Sequence, residues 1–229
     1  METVGDGIRD ALGRGTLYAW ASGHPERREY QGRLAAYSAP IPFGGPRVVV
    51  RHSRHGGLLA ALTRDVFIAP TRAPHEMLVS ALLGRAGVPT PPVISFALYP
   101  VAPLLWRSDI ATLELQGQDL GTVMADSATD GRGAWLDAVA ALLRGLTRAG
   151  AWHPDLNVRN ILLTNDDDGA RRAFVLDVDR IRFHPPGDPN VRDANLQRLI
   201  RSVRKWRASG SPAFDESELR TLRDLAQPA

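Results

Sequence analysis

Apolar positions along the chain change their period near its middle. RLAAYSAP (33–40) alternates, RVVVRH (47–52) is β-branched, and the turn IPFGGP lies between them, which predicts a β-hairpin. TLYAWAS (16–22) reads as a strand ahead of it, followed by the polar turn GHPERREYQG. LLAALTRDVFIAPT fits neither period. HEMLVSALLGRAG (75–87) has helical spacing and ends on a glycine suited to a C-terminal cap. Residues 88–117 hold five prolines between β-rich runs, which predicts a proline turn and two strands closing a small sheet.

After residue 117 the pattern becomes helical. QDLGTVMADSATDGRG reads as a linker with a short helix, and AWLDAVAALLRGLTRAG (134–150) is an amphipathic helix. ILLTNDDDGARRAFVLDVDR (161–180) is a hairpin pattern of apolar strand, Asn/Asp/Gly turn, apolar strand and acids. NLQRLIRSVRKWRA (195–208) and ESELRTLRDLA (216–226) are helical. The prediction is an α+β chain with a β-rich part holding one helix over 1–117 and a mostly helical part over 118–229.

Composition narrows this little. The 44% hydrophobic and 23% charged content suits a globular protein, and no apolar run approaches the roughly 20 residues that cross a bilayer. The start, METVGDGIRDALGRG, lacks the basic-then-apolar order of a secretory signal, so a cytoplasmic protein is expected. With no cysteine, disulfides and thiolate metal sites are excluded. The 28 bases are 27 arginines and Lys205, lifting the pI to 9.8. They cluster at 47–54, 171–182 and 192–207, offering basic surfaces to an anionic partner or membrane, although biased gene composition would give the same excess. No nucleic-acid-reading motif accompanies them.

The chemistry sits in HPDLNVRNILL (153–163). Its spacing, H-x-D-L-x-x-x-N, is that of the kinase catalytic loop, in which the Asp receives the acceptor's proton and the Asn binds metal. Asp155 is thus the candidate catalytic base and Asn160 a magnesium ligand; VLDVDR places the second ligand, Asp177, one hairpin later, with Asp179 a weaker candidate. A turn whose Asp and Asn bond the local backbone would carry the same letters. The order of helix, loop, hairpin and acid favours the kinase reading, with His153 orienting the loop. Arg51, closing RVVVR, stands where protein kinases carry lysine, and Glu76 in the next helix is its natural partner as a nucleotide anchor. LELQG (113–117) sits where an adenine-binding hinge belongs, with the backbone of Glu114 and Gln116 offering bonds, and an edge strand is the alternative reading. No G-x-G-x-x-G precedes Arg51, and Gly32 alone is placed to cover phosphates. Together these predict a two-lobed protein-kinase-like fold.

RVVVRHSRHGGLLAAL, HPDLNVRNILL, VLDVDR and NLQRLIRSVRKW resemble the Kdo (3-deoxy-D-manno-octulosonic acid) kinases, small protein-kinase-like enzymes of lipopolysaccharide assembly. The resemblance spans roughly residues 30 to 207. His55 stands where that family usually has Arg, and Val178 replaces an aromatic residue in its metal segment. The resemblance implies ATP- and magnesium-dependent phosphorylation of the 4-hydroxyl of Kdo on lipid A precursor, at the cytoplasmic face of the inner membrane, as a peripheral protein. It also implies that Arg54, Gly56 and Gly57 line the phosphate or sugar end of the site. A kinase of another small molecule or of protein, and a silent kinase-like module that binds a partner, are the alternatives.

Overall fold

The computed structural model describes residues 3–31, 35–53, 67–68, 71–126, 132–165 and 169–227. Contacts divide the chain into two compact units, Met1–Ala81 with Pro92–Glu114, and Leu82–Pro91 with Leu115–Ala229.

The first unit opens with two helices, α1 (Val4–Gly13) and α2 (Leu17–Gly23). The second corrects the strand expected over 16–22. Leu17, Trp20 and Ala21 are its buried residues, an i, i+3, i+4 set that only a helix puts on one face, and Thr16 caps it by accepting from the Ala19 N–H at 3.0 Å. A Thr3–Asp6 capping box starts α1. Within the expected polar turn lies a short exposed strand, β1 (Arg28–Tyr30).

Strands β2 (Ala36–Pro40) and β3 (Arg47–His52) form the predicted hairpin, with Tyr37 opposite Val50. The short β4 (Phe67–Ile68) comes next, then helix α3 (Arg72–Arg85), then β5 (Val93–Ala102) and β6 (Leu105–Leu113). The predicted glycine cap is present: Gly87 has φ 70° and its N–H bonds Gly84 O at 3.1 Å. β6 lies between β3 and β5, pairing Ile110 with both Arg51 and Phe96. Val48, Val50, Ala39 and Ala111 pack with Leu17, Trp20 and Ile8, so α1 and α2 close one face of the sheet.

The second unit begins with β7 (Gln118–Asp119) and α4 (Leu120–Ala125), the short helix expected there. Helix α5 (Arg132–Arg148) buries Leu136, Val139, Leu143 and Leu146, and the chain then enters β8 (Ala151–Trp152) through Gly150. Gly150 has φ 65°, and a Cβ there would stand 2.1 Å from the His184 carbonyl oxygen, so no larger residue fits where the chain turns into the HPDLN loop. Strands β9 (Ile161–Asn165) and β10 (Arg171–Val175) form the second predicted hairpin, with β7 on the far side of β9. β11 (Arg182–Phe183) pairs β8, and α6 (Pro189–Ala208) and α7 (Glu216–Leu225) complete the unit. No described helix is long and apolar enough to cross a membrane.

Candidate active site

The β9–β10 register sets the site. Its last pair is Ile161 with Val175, and one step beyond it the Leu176 N–H donates to the Asn160 carbonyl at 2.9 Å. Asp177 follows directly, so the hairpin delivers both candidate metal ligands to one end. Asp177 has φ 57°, the left-handed region that an Asp tolerates better than most residues with a Cβ, and such a conformation is commonly held at functional sites. Val178 is buried.

The HPDLN loop is tied to this end by its own side chains. Asn160 Nδ2 donates to the Asp155 carbonyl at 2.9 Å, as does Asn157 Nδ2. His153 is fully buried and bridges the two segments: Nε2–H donates to the Leu176 carbonyl at 3.0 Å and Nδ1 accepts from the Asp155 N–H at 3.2 Å. One neutral tautomer satisfies both bonds. Burial pushes the His153 pKa down, against the Leu176 hydrogen bond and the negative charges of Asp177, Asp155 and Asp179.

That depressed value makes a pH prediction. An unfolded histidine titrates near 6.5, and in the folded chain a proton on Nδ1 would oppose the Asp155 N–H. The unfolded state therefore takes up protons first as pH falls. Stability is complete above about pH 6.5 and is lost progressively below it. The unfolding midpoint should be lower at pH 5.5 than at pH 7.5, and in His153→Gln this decline should be shallower. Parallel declines in the two proteins would exclude His153 as the cause.

One stripe of α6, absent from the sequence reading, supports the loop. Asn195, fully buried, accepts from the His153 N–H at 3.0 Å and donates to the Ala151 carbonyl at 2.9 Å. Arg198 donates to Asp155 Oδ1 at 3.2 Å, Ser202 Oγ accepts from the Val158 N–H at 3.2 Å, and Trp206 lies under the Arg159 guanidinium, 5.3 Å from its ring centre. Positions 195, 198, 202 and 206 are spaced by three and four residues, which lines them along one helical face. That spacing was a readable signal, since polar residues alternate there with the buried Leu196, Leu199 and Val203.

In the other unit, Arg51 donates through Nη2 to Glu76 Oε1, the ion pair expected between strand and helix, with Glu76 mostly buried. Glu114 is placed differently from a simple hinge. Its N–H is engaged by the Arg47 carbonyl at 3.0 Å, and its carboxylate, 2% exposed, accepts from Arg47 Nε at 3.0 Å and from Tyr30 at 2.5 Å. Burial alone would raise the Glu114 pKa, but hydrogen bonds from Tyr30, Ser38 and Arg47 outweigh it and hold the value below normal. Gln116 lines a pocket of about 400 Å³ whose walls include Gln118, Trp135, Leu163 and Asn165. Arg54, Gly56, Gly57 and Gly32 lie outside the described residues. Among the described residues no cluster of three or more His, Cys, Asp and Glu is set to hold a metal ion.

A catalytic-loop Asp, an Asn bonded to its carbonyl and an acid one hairpin later, together with a strand cation paired to a helix carboxylate, are the parts of a phosphoryl-transfer enzyme of the kinase class. A solved structure of WaaP in complex with acyl carrier protein has the same fold, with a TM-score of 0.59 at 17% identity, over 96% of this chain and 87% of that one. The family model for the lipopolysaccharide kinase (Kdo/WaaP) family matches residues 20–222. A 3-deoxy-D-manno-octulosonic acid kinase of Stenotrophomonas maltophilia is 32% identical over 85% of this chain and 77% of its own length. One from Xylella fastidiosa is 31% identical over 91% of this chain and 82% of its own length. The chain belongs to the lipopolysaccharide kinase (Kdo/WaaP) family and is a phosphotransferase.

Proposed function

We propose that this kinase transfers the γ-phosphoryl group of ATP to the 4-hydroxyl of Kdo carried on lipid A precursor, working as a peripheral protein at the cytoplasmic face of the inner membrane. The observation that carries the reading is the double tie of Leu176 to the loop, through the Asn160 carbonyl and the His153 ring, because it joins the segment holding Asp155 and Asn160 to the residue just before Asp177. Relatives named 3-deoxy-D-manno-octulosonic acid kinase support Kdo as the acceptor sugar.

Asp155 takes the proton of the acceptor hydroxyl as its oxygen bonds the γ-phosphorus and the bond to the leaving ADP breaks. Arg198 holds the Asp155 carboxylate in place, and the Arg51 cation, braced by Glu76, neutralises nucleotide phosphate. The Asn160 amide fits a cation ligand: its nitrogen is committed to the Asp155 carbonyl, which leaves Oδ1 as the end to offer. Magnesium, when bound, supplies charge neutralisation at the transferring phosphate, and Asn160 Oδ1 with Asp177 would hold it.

Transfer of labelled phosphate from ATP should be seen with Kdo-bearing lipid A precursor and be weak or absent with free sugars or a generic protein. Efficient labelling of either of those, with none on the Kdo lipid, would replace this acceptor. Nucleotide binding without transfer to any of them, unaltered in Asp155→Ala, would assign a silent module instead.

A further inference from the structure

The arginines that make the chain basic are in good part engaged internally. Arg47 bonds Glu114, Arg51 bonds Glu76, Arg198 bonds Asp155, Arg204 and Arg207 bond Glu216, and Arg171 lies over the Trp135 ring. Attraction of an anionic surface by charge alone is thereby weakened, and peripheral membrane binding commonly needs an apolar contribution as well.

The β5–β6 hairpin has the composition for that contribution. Residues 93–106, VISFALYPVAPLLW, carry no charge. Beyond the last cross-strand pair, Ala102 with Leu105, the chain reverses, and residues 100–104, PVAPL, are all exposed. Val101 is 46% and Leu104 74% exposed, with Leu98 beside them at 38%. An exposed leucine alone is ordinary, but five consecutive apolar residues at a hairpin end are not.

The backbone adds an independent mark. Leu104 has φ 67°, a conformation that asparagine or glycine enters at little cost and leucine does not. A leucine held there with its side chain in water gains no internal packing in return. Phe43 shares a positive φ and exposure, but it stands at the opposite end of the sheet, between the half-buried Pro42 and Gly44, with no other exposed large apolar residue in its turn.

We propose that the tip of the β5–β6 hairpin, residues 100–104, inserts into the lipid surface and seats the enzyme on an anionic bilayer. This rests on the lipid-linked acceptor proposed above. A bilayer suits the tip because the apolar set is small and at a chain reversal, which matches a deformable apolar solvent rather than a shaped groove. The net charge of +3 has the sign complementary to anionic headgroups.

The test uses the full chain and vesicles of phosphatidylethanolamine with phosphatidylglycerol. Val101→Ser with Leu104→Asn should lower the bound fraction's partition constant by about tenfold or more. The unfolding midpoint should hold or rise, since asparagine suits the left-handed position. Transfer to Kdo lipid in vesicles should fall with binding, while transfer to the same acceptor dispersed in detergent stays at the parent level. Vesicle binding equal to the parent overturns the proposal, as does a parent protein that does not bind these vesicles. Loss of a concentration-dependent dimer in the variant, without loss of vesicle binding, also overturns it and gives the tip to a second copy. Binding lost in the variant while neither acceptor is phosphorylated supports the docking and overturns the acceptor reading alone.

Discussion

Asp155→Asn should lower kcat for phosphoryl transfer by about 10³-fold while leaving KM for ATP within about twofold. The substitution keeps the side chain's size and removes its capacity to take a proton, which is needed only as the hydroxyl attacks. The bonds that shape the loop do not use this carboxylate: its N–H donates to His153, and its carbonyl accepts from Asn157 and Asn160. Among the described residues its side-chain partner is Arg198, at 3.2 Å. The unfolding midpoint should therefore move little, and the loss can be read as chemistry. Arg198→Ala should cost less, about tenfold in kcat, because the carboxylate remains but is no longer held. Asp155→Asn within a few-fold of the parent would remove Asp155 as the base.

How far the sequence shows this site depends on chain separation. His153, Asp155 and Asn160 lie in one loop, so their spacing is their geometry. Asp177 is readable because an apolar hairpin with a polar turn has a register, and the register returns its end to its start. Arg51 and Glu76 follow from strand-then-helix order. The α6 stripe of Asn195, Arg198, Ser202 and Trp206 is some 40 residues further on, where helical periodicity shows a face but not what it meets. Glu114 was read for its backbone, whereas its side chain gathers Arg47, Arg28 and Tyr30 from strands distant in sequence. The strand expected over 16–22 is a helix for a local reason: seven mostly apolar residues satisfy both periods, and the Thr16 cap decides between them.

Asp109→Ala should destabilise the first unit by about 3–5 kcal/mol, the range for leaving the partners of a buried charged group unpaired. Asp109 is an acid in an apolar strand and is completely buried. Its Oδ1 lies 2.5 Å from His52 Nδ1, and its Oδ2 accepts from the Tyr18 N–H at 2.9 Å and from the Tyr99 hydroxyl at 3.1 Å. The Tyr99 oxygen in turn accepts from the Leu17 N–H at 2.8 Å, so this one carboxylate joins the start of α2 to both central strands. Burial chiefly, with the negative charge of Asp109 added, pushes the Tyr99 pKa up, so the hydroxyl remains a donor to the carboxylate. Alanine would remove the acceptor that the ring nitrogen, the amide and the hydroxyl share. In thermal unfolding this is a fall of roughly 10 °C for a chain of this size, and the Tyr18 amide should lose its protection against hydrogen exchange. The consequence reaches Arg51, the proposed nucleotide anchor, because His52 and Arg51 are successive residues of β3 and face opposite sides of the sheet. Removing the contact on one side loosens the strand that presents Arg51 to Glu76 on the other, so nucleotide binding should weaken as well. An unfolding midpoint unchanged in Asp109→Ala, with Tyr18 still protected, would show that the helices at the start of the chain are held by apolar packing alone.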